Sequence, residues 1–95
     1  CLRYIFGVSL SQIETFIAIA EAGHMGRAAT KLKVAQPAVS RKIRLLEEEL
    51  GTALFHRTTR GMQLSRAGEI FLRRSRAIVG DLEAAVFEVR GERAQ

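Results

Sequence analysis

The chain has 95 residues, 47% hydrophobic and 26% charged, which bounds it to one small domain with a modest core and no deep, enclosed active site. Its formal net charge is +5, and twelve of its fifteen basic residues are arginine, whose planar fork grips phosphate or the paired acceptors of guanine. A single cysteine, Cys1, excludes an intrachain disulfide and a cysteine-based zinc site, and no apolar run reaches the ~20 residues needed to cross a bilayer.

Residues 1–8 read as an N-terminal extension or a cloning scar: they lack an initiating Met, and their apolar start (Leu2, Tyr4, Ile5, Phe6) is too short for a signal peptide. Ser9 and Gln12 then stand at capping-box spacing. Leu10, Ile13, Phe16, Ile17 and Ala20 recur at helical intervals, which predicts a first helix over 10–22, stopped at Gly23. A short second helix is expected from about Arg27 to Leu32, with Gly26 as its N-cap and a narrow stripe of Ala28, Ala29 and Leu32. After a brief link, Lys33 to Ala35, the only proline, Pro37, falls in the first turn of a third helix, where its missing N–H is harmless. That helix spans Gln36 to Leu50, ends at Gly51 and lines up Val39, Ile43, Leu46 and Leu50 on one face.

Leu54–Arg57 and Met62–Leu64 are short extended runs around Thr58-Thr59-Arg60-Gly61, the outline of a β-hairpin with a basic tip in which Gly61 is free to take positive φ. Ser65 is placed to cap a last helix from Arg66 to about Arg90, with Gly68 and Gly80 weakening it by ~1 kcal/mol each. No repeat or low-complexity segment interrupts this order.

Two helices joined by a three-residue turn, with a third helix ahead, follow the helix-turn-helix plan, although any three-helix bundle shares that order. The outward face of the third helix separates the two. Pro37, Arg41 and Arg44 lie roughly opposite the Val39 stripe, with Ser40 toward one flank and Gln36 at the N-terminal end. Gln can read adenine, Arg can read guanine, and Ser can meet base or phosphate. All sit in the first turns, the end that a recognition helix pushes into the major groove. A solvated helix face would carry the same residue types, so the neighbouring blocks have to decide.

The last helix is apolar on more than one face. Phe71, Ile78, Leu82, Ala85 and Val89 step by seven, four, three and four, and Ile70, Val79, Val86 and Phe87 occupy adjoining faces. A head of some 60 residues cannot cover that much surface, so a partner is expected. A second copy of the chain fits, and so does a further domain of the same protein.

Ala28-Ala29, Leu32, the run Ala35-Gln36-Pro37-Ala38-Val39-Ser40-Arg41-Lys42-Ile43, then Leu46-Glu47 and Leu50-Gly51 together resemble the LysR-type transcriptional regulators. Leu54-Phe55-His56-Arg57 and Leu64-Ser65-Arg66-Ala67-Gly68 extend the resemblance, which runs from residue 10 to about 90. It implies a mainly α fold: a winged helix-turn-helix of three helices and a small β-hairpin wing over 9–65, then a long linker or dimerisation helix over 66–92. It implies a cytoplasmic, sequence-specific DNA-binding module that binds an interrupted inverted repeat of double-stranded DNA as a homodimer and regulates transcription. In the full-length protein the assembly could also be a tetramer, and a small-molecule effector would act only through a C-terminal domain not present in this chain.

Carried over by position, Gln36, Pro37, Ser40 and Arg41 match the groove-reading residues, Arg60 the wing-tip arginine of the minor groove, and Arg57 a basic position at the wing base. Arg44, Arg27 and Thr59 complete the expected DNA contacts, and Phe71, Ile78, Leu82, Ala85 and Val89 the expected dimer seam. Two departures stand out. Ala35 replaces the Ser or Thr that commonly caps the recognition helix, and His24-Met25-Gly26 replaces the hydroxyl-bearing turn after the first helix.

An enzyme is not expected. His24 and His56 have no Asp or Ser at a recognisable spacing, no glycine loop is built to cradle phosphate, and Glu47-Glu48-Glu49 reads as the polar end of the third helix. The sequence asks for no cofactor, no metal and no membrane. The alternative to DNA binding is a winged helix used as a protein-docking module, which a shallow salt dependence of its complex would favour.

Overall fold

The structure, a computed structural model, describes residues 7–94, with side chains described through Glu92, so the reading of residues 1–6, Cys1 among them, lies outside the described residues. Helix α1 (Leu10–Ala22) opens on the expected capping box: the Ser9 hydroxyl accepts from the Gln12 amide at 3.1 Å while the Gln12 side chain accepts from the Ser9 amide at 2.9 Å. It ends at Gly23 in the left-handed conformation. Its inward face is turned slightly from the expected one, for Ile19 and Ala18 are buried while Leu10 stays exposed.

Helix α2 (Met25–Leu32) begins two residues earlier than expected, and its N-cap is His24 rather than Gly26. The imidazole Nδ1 accepts from the Gly26 amide at 3.1 Å, so a ring nitrogen does the work usually done by a hydroxyl or carboxylate. Helix α3 (Gln36–Leu50) has the predicted bounds. Strands β1 (Phe55–Thr58) and β2 (Gly61–Leu64) pair antiparallel, Phe55 with Leu64 and Thr58 with Gly61. The expected strands at 54–57 and 62–64 therefore shift, and the four-residue tip contracts to the two-residue turn Thr59-Arg60. Leu54 leaves the ladder because its backbone is already satisfied elsewhere. Its amide donates to Glu47 Oε2 at 2.7 Å and its carbonyl accepts from the Ser65 amide at 2.9 Å.

Helix α4 (Arg66–Ala94) starts as predicted at Ser65, whose hydroxyl accepts from the Gly68 amide at 3.0 Å and donates to the Ala53 carbonyl at 2.7 Å. Gly68 is required here for closeness: a Cβ would collide with the carbonyl oxygen of Leu54. The helix runs unbroken through Gly80 and continues past Arg90. At 1.5 Å per residue its 29 residues make a rod of about 43 Å. The radius of gyration is accordingly 14.8 Å, against about 12.4 Å for a compact chain of this length.

Phe16 of α1 is fully buried at the centre of the core, which also holds Ile19, Val39, Leu46 and Leu54. Its ring meets Phe55 of β1 and Phe71 of α4 at the same centroid separation, 5.3 Å, with tilts of 51° and 56°. Such tilted aromatic pairs contribute about 0.5–1.5 kcal/mol beyond the area they bury. Phe71 thereby sits half-buried in the core of the head, whereas the sequence assigned it to the dimer seam. No helix among the described residues is long and apolar enough to cross a membrane.

One turn beyond Phe71, Ser75 is fully buried and its hydroxyl has no hydrogen-bond partner among the described residues. An orphaned buried hydroxyl is a net cost. Ser75→Ala should raise the unfolding free energy by about 1 kcal/mol. Chemical denaturation at neutral pH checks it, and the outcome that contradicts it is a lower midpoint.

Candidate nucleic-acid interface

The outward face of α3 is built by the inward one. Val39, Ile43 and Leu46 are buried against α1 and α2, which turns Pro37, Arg41 and Arg44 outward, all exposed. Pro37, Ser40, Arg41 and Arg44 line one shallow surface depression, so three of the expected groove readers stand together with Arg44. Ser40 is half-buried, and its hydroxyl points to the Met25 sulfur at 3.9 Å. Arg44 shares a loose, exposed pair with Glu48 at 3.9 Å, the kind of contact that contributes little to stability. Arg41 takes part in no ion pair among the described residues.

A second, larger cleft lies between the start of α3 and the hairpin. It brings Gln36 together with His24 and with Arg57, Thr59 and Arg60 of the wing. The turn that carries Arg60 is organised by Thr58, whose hydroxyl accepts from the Arg60 amide at 3.1 Å and donates to the Gly61 carbonyl at 3.2 Å. Arg57, Thr59 and Arg60 are all exposed. Arg27, exposed on α2, lines neither surface.

Sequence reasoning missed His24 and Thr58. Both could have been found by asking which side chain satisfies the first amides of α2 and of the hairpin turn.

Two other cations are held by a carboxylate. Glu21 of α1 accepts from Lys31 of α2 at 3.1 Å and lies 3.6 Å from Arg76 of α4. The Lys31 hydrogen bond, with the nearby Lys31 and Arg76 charges, holds the Glu21 carboxyl below its ordinary range although slight burial works the other way. Lys31 and Arg76 thus tie helices together, whereas Arg41 and Arg44 of α3 and Arg57 and Arg60 of the wing face outward.

Along α4, Ile78, Leu82, Ala85 and Val89 are exposed, as are Val86 and Phe87. Phe87 is 79% exposed and Val89 67%, values far above those of a core residue. No cluster of three or more His, Cys, Asp or Glu suited to a metal ion occurs among the described residues.

Ala35 precedes α3 in extended conformation and its side chain makes no capping bond, as its chemistry requires. Ala35→Ser should supply that bond and add about 1 kcal/mol, a rise of about 4–8 °C in Tm for a domain of this size. Differential scanning calorimetry reads the shift, and an unchanged Tm would mean that another group already serves the helix start.

Comparison with known proteins places this geometry. The profile of the family described as "Bacterial regulatory helix-turn-helix protein, lysR family" matches residues 10–69. The HTH-type transcriptional regulator TfdT of Cupriavidus pinatubonensis is 40% identical over 72 residues, which cover 76% of this chain and 32% of that protein. The chain therefore spans about a third of the length of that relative. Among solved structures, the complex of BenM DBD with catB site 1 DNA superposes with a TM-score of 0.89 at 30% identity, covering 93% of this chain and 99% of that one. The CbnR DBD–DNA complex gives a TM-score of 0.84 at 38% identity, covering 90% and 98%.

Proposed function

Because the chain belongs to the LysR family of bacterial regulatory helix-turn-helix proteins, we propose that it is the sequence-specific DNA-binding part of a transcriptional regulator and acts as a homodimer. The observation that carries this reading is a pair of surfaces that follow one another at Gln36 and Pro37: one holds Gln36 with Arg57 and Arg60 of the wing, the other Pro37, Ser40, Arg41 and Arg44 of α3. The first turns of α3 enter the major groove, where Arg41 meets guanine and Gln36 meets adenine. Arg60 reaches the adjacent minor groove, whose narrow A·T stretches concentrate negative potential. Arg57, Thr59, Arg44 and Arg27 serve phosphates, which fix register without reading sequence. Residues 9–65 form the reading head and 66–92 the pairing helix. The protein works in the cytoplasm, carries out no catalytic step, and answers to any small-molecule effector through a domain outside this chain.

The pairing surface is the exposed stripe Ile78, Leu82, Ala85 and Val89. Charge favours an antiparallel arrangement. The first half of α4 carries Arg66, Arg73, Arg74 and Arg76 against Glu69, and the second half Asp81, Glu83, Glu88 and Glu92 against Arg90 and Arg93. Laid antiparallel about that stripe, with Ile78 against Val89, Glu92 comes opposite the stretch between Arg74 and Arg76; laid parallel, like charges would meet. An isologous dimer presents two identical recognition helices, so its preferred site is an interrupted inverted repeat.

Two measurements test this. Arg41→Ala should cost about 1–3 kcal/mol on a site selected from a random duplex pool and much less on random DNA. Equal losses on both would move Arg41 to the phosphate contacts, and binding with little salt dependence would point to a protein-docking module instead. Leu82→Arg should convert dimers to monomers in sedimentation and weaken the full repeat far more than an isolated half-site, because the second contact is no longer intramolecular. An unchanged dimer would rule out the α4 seam.

A further inference from the structure

The wing is fastened to the head at a point the hairpin does not itself supply. The Met62 amide on β2 donates to the carbonyl of Gly23 at 3.0 Å, across to the residue that ends α1. Beside it, Gly61 has φ +112°, and a Cβ there would collide with the same Gly23 oxygen. Only glycine therefore lets the wing backbone settle onto the α1–α2 turn at this place.

The turn it rests on leads directly to the reading face. Gly23 is followed by His24, whose ring caps α2 through the Gly26 amide. A Cβ on Gly26 would stand 3.3 Å from His24 Nδ1 and 3.4 Å from Gln36 Oε1, so this second glycine leaves the space in which the His24 ring and the Gln36 amide lie side by side. Wing, α1 end, α2 cap and first residue of α3 thus follow one another around a single cleft.

From this geometry we infer that Gly61, through its contact with Gly23, is a positioning residue: it fixes where Arg60 stands relative to Gln36 and Arg41. The inference rests on the DNA-binding reading above. A two-stranded hairpin of four-residue strands is marginal by itself. Without the Gly23 bond, the tip half of β2 would be held to the core by the half-buried Met62 side chain alone, the Thr59-Arg60 turn could swing, and ordering that turn on the duplex would cost affinity. The Gly23 joint removes the swing in advance, so that minor-groove and major-groove contacts are made together.

The test uses the chain with a selected inverted-repeat duplex carrying either A-tract or G·C flanks. Gly61→Ala should abolish the preference for A-tract flanks, a loss on the order of tenfold, while discrimination among bases opposite Arg41 persists. It should match Arg60→Ala, and the double variant should be no weaker than Arg60→Ala alone, because both remove one effect. Gly51→Ala is the control: Gly51 also has a positive φ, +72°, and its Cβ would meet nothing within 4 Å, so left-handed backbone strain is introduced away from the joint and the flank preference stays. Additive losses in the double variant, or an intact flank preference in Gly61→Ala, would overturn the inference. Should Gly61→Ala not fold, amide hydrogen exchange of the unaltered chain decides. Met62 should exchange as slowly as the amides of α1, and exchange as fast as that of Arg60 at the tip would overturn the joint. That readout needs no DNA, so failure of the joint is distinguishable from failure of the DNA-binding reading.

Discussion

One aromatic ring holds the molecule's parts in register. Phe16 is fully buried, and its two ring partners come from β1 and from α4. The head, the wing and the long helix therefore share a single packing centre, although they have separate surfaces to present. This economy suits a chain of 95 residues, which lacks the apolar volume for a core under each element. The polar links around the ring repeat its logic. Ser65 and Glu47 fasten the loop before β1, and Glu21 bridges α1 to both α2 and α4. None of these surface or half-buried contacts is large alone, but each fixes an angle that the ring contact leaves free.

What the head displays follows from what it hides. Burying Val39, Ile43 and Leu46 sends the cations of α3 outward, and the antiparallel register of the hairpin sends Arg57 and Arg60 to the same side. The basic residues used for internal ties lie elsewhere, at Lys31 and Arg76. Attraction for a polyanion at α3 and the wing is thus set by which cations the fold turns outward there, with no need for a higher net charge.

Much of this was legible beforehand, because it rests on local rules. The Ser9–Gln12 box, the Pro37 start, the glycine stops and the Ser65 cap all announce helix ends through backbone hydrogen-bond needs that a few neighbouring residues meet. The departures arise where a distant partner intervenes. Leu54 reads as a strand residue, yet Glu47 and Ser65 claim its backbone. Phe71 fits a heptad, yet Phe16 offers it a pocket in its own chain. His24 reads as a loop residue because imidazole is an uncommon cap, and Glu47 reads as part of an acidic run because its acceptor role depends on a turn seven residues on. The outward face of α3 could be named from periodicity. Its nearness to the wing could not, since the Gly23–Met62 bond joins residues far apart in sequence.

The rod-like α4 makes its root a fulcrum. From Phe71 to Ala94 the helix extends about 35 Å, so a rotation of about 10° at the ring contact sweeps the far end through about 6 Å. In a pair joined along the outer stretch of the rods, that sweep becomes a change in the separation of the two heads. Half-sites on duplex DNA recur by helical turn, about 34 Å, and a few ångströms of mismatch put a recognition helix out of phase with its groove. Trimming or enlarging the side chain at position 71 would then act as a gear as well as a loss of packing, retuning the operator spacing the dimer fits while the bases each head reads stay the same.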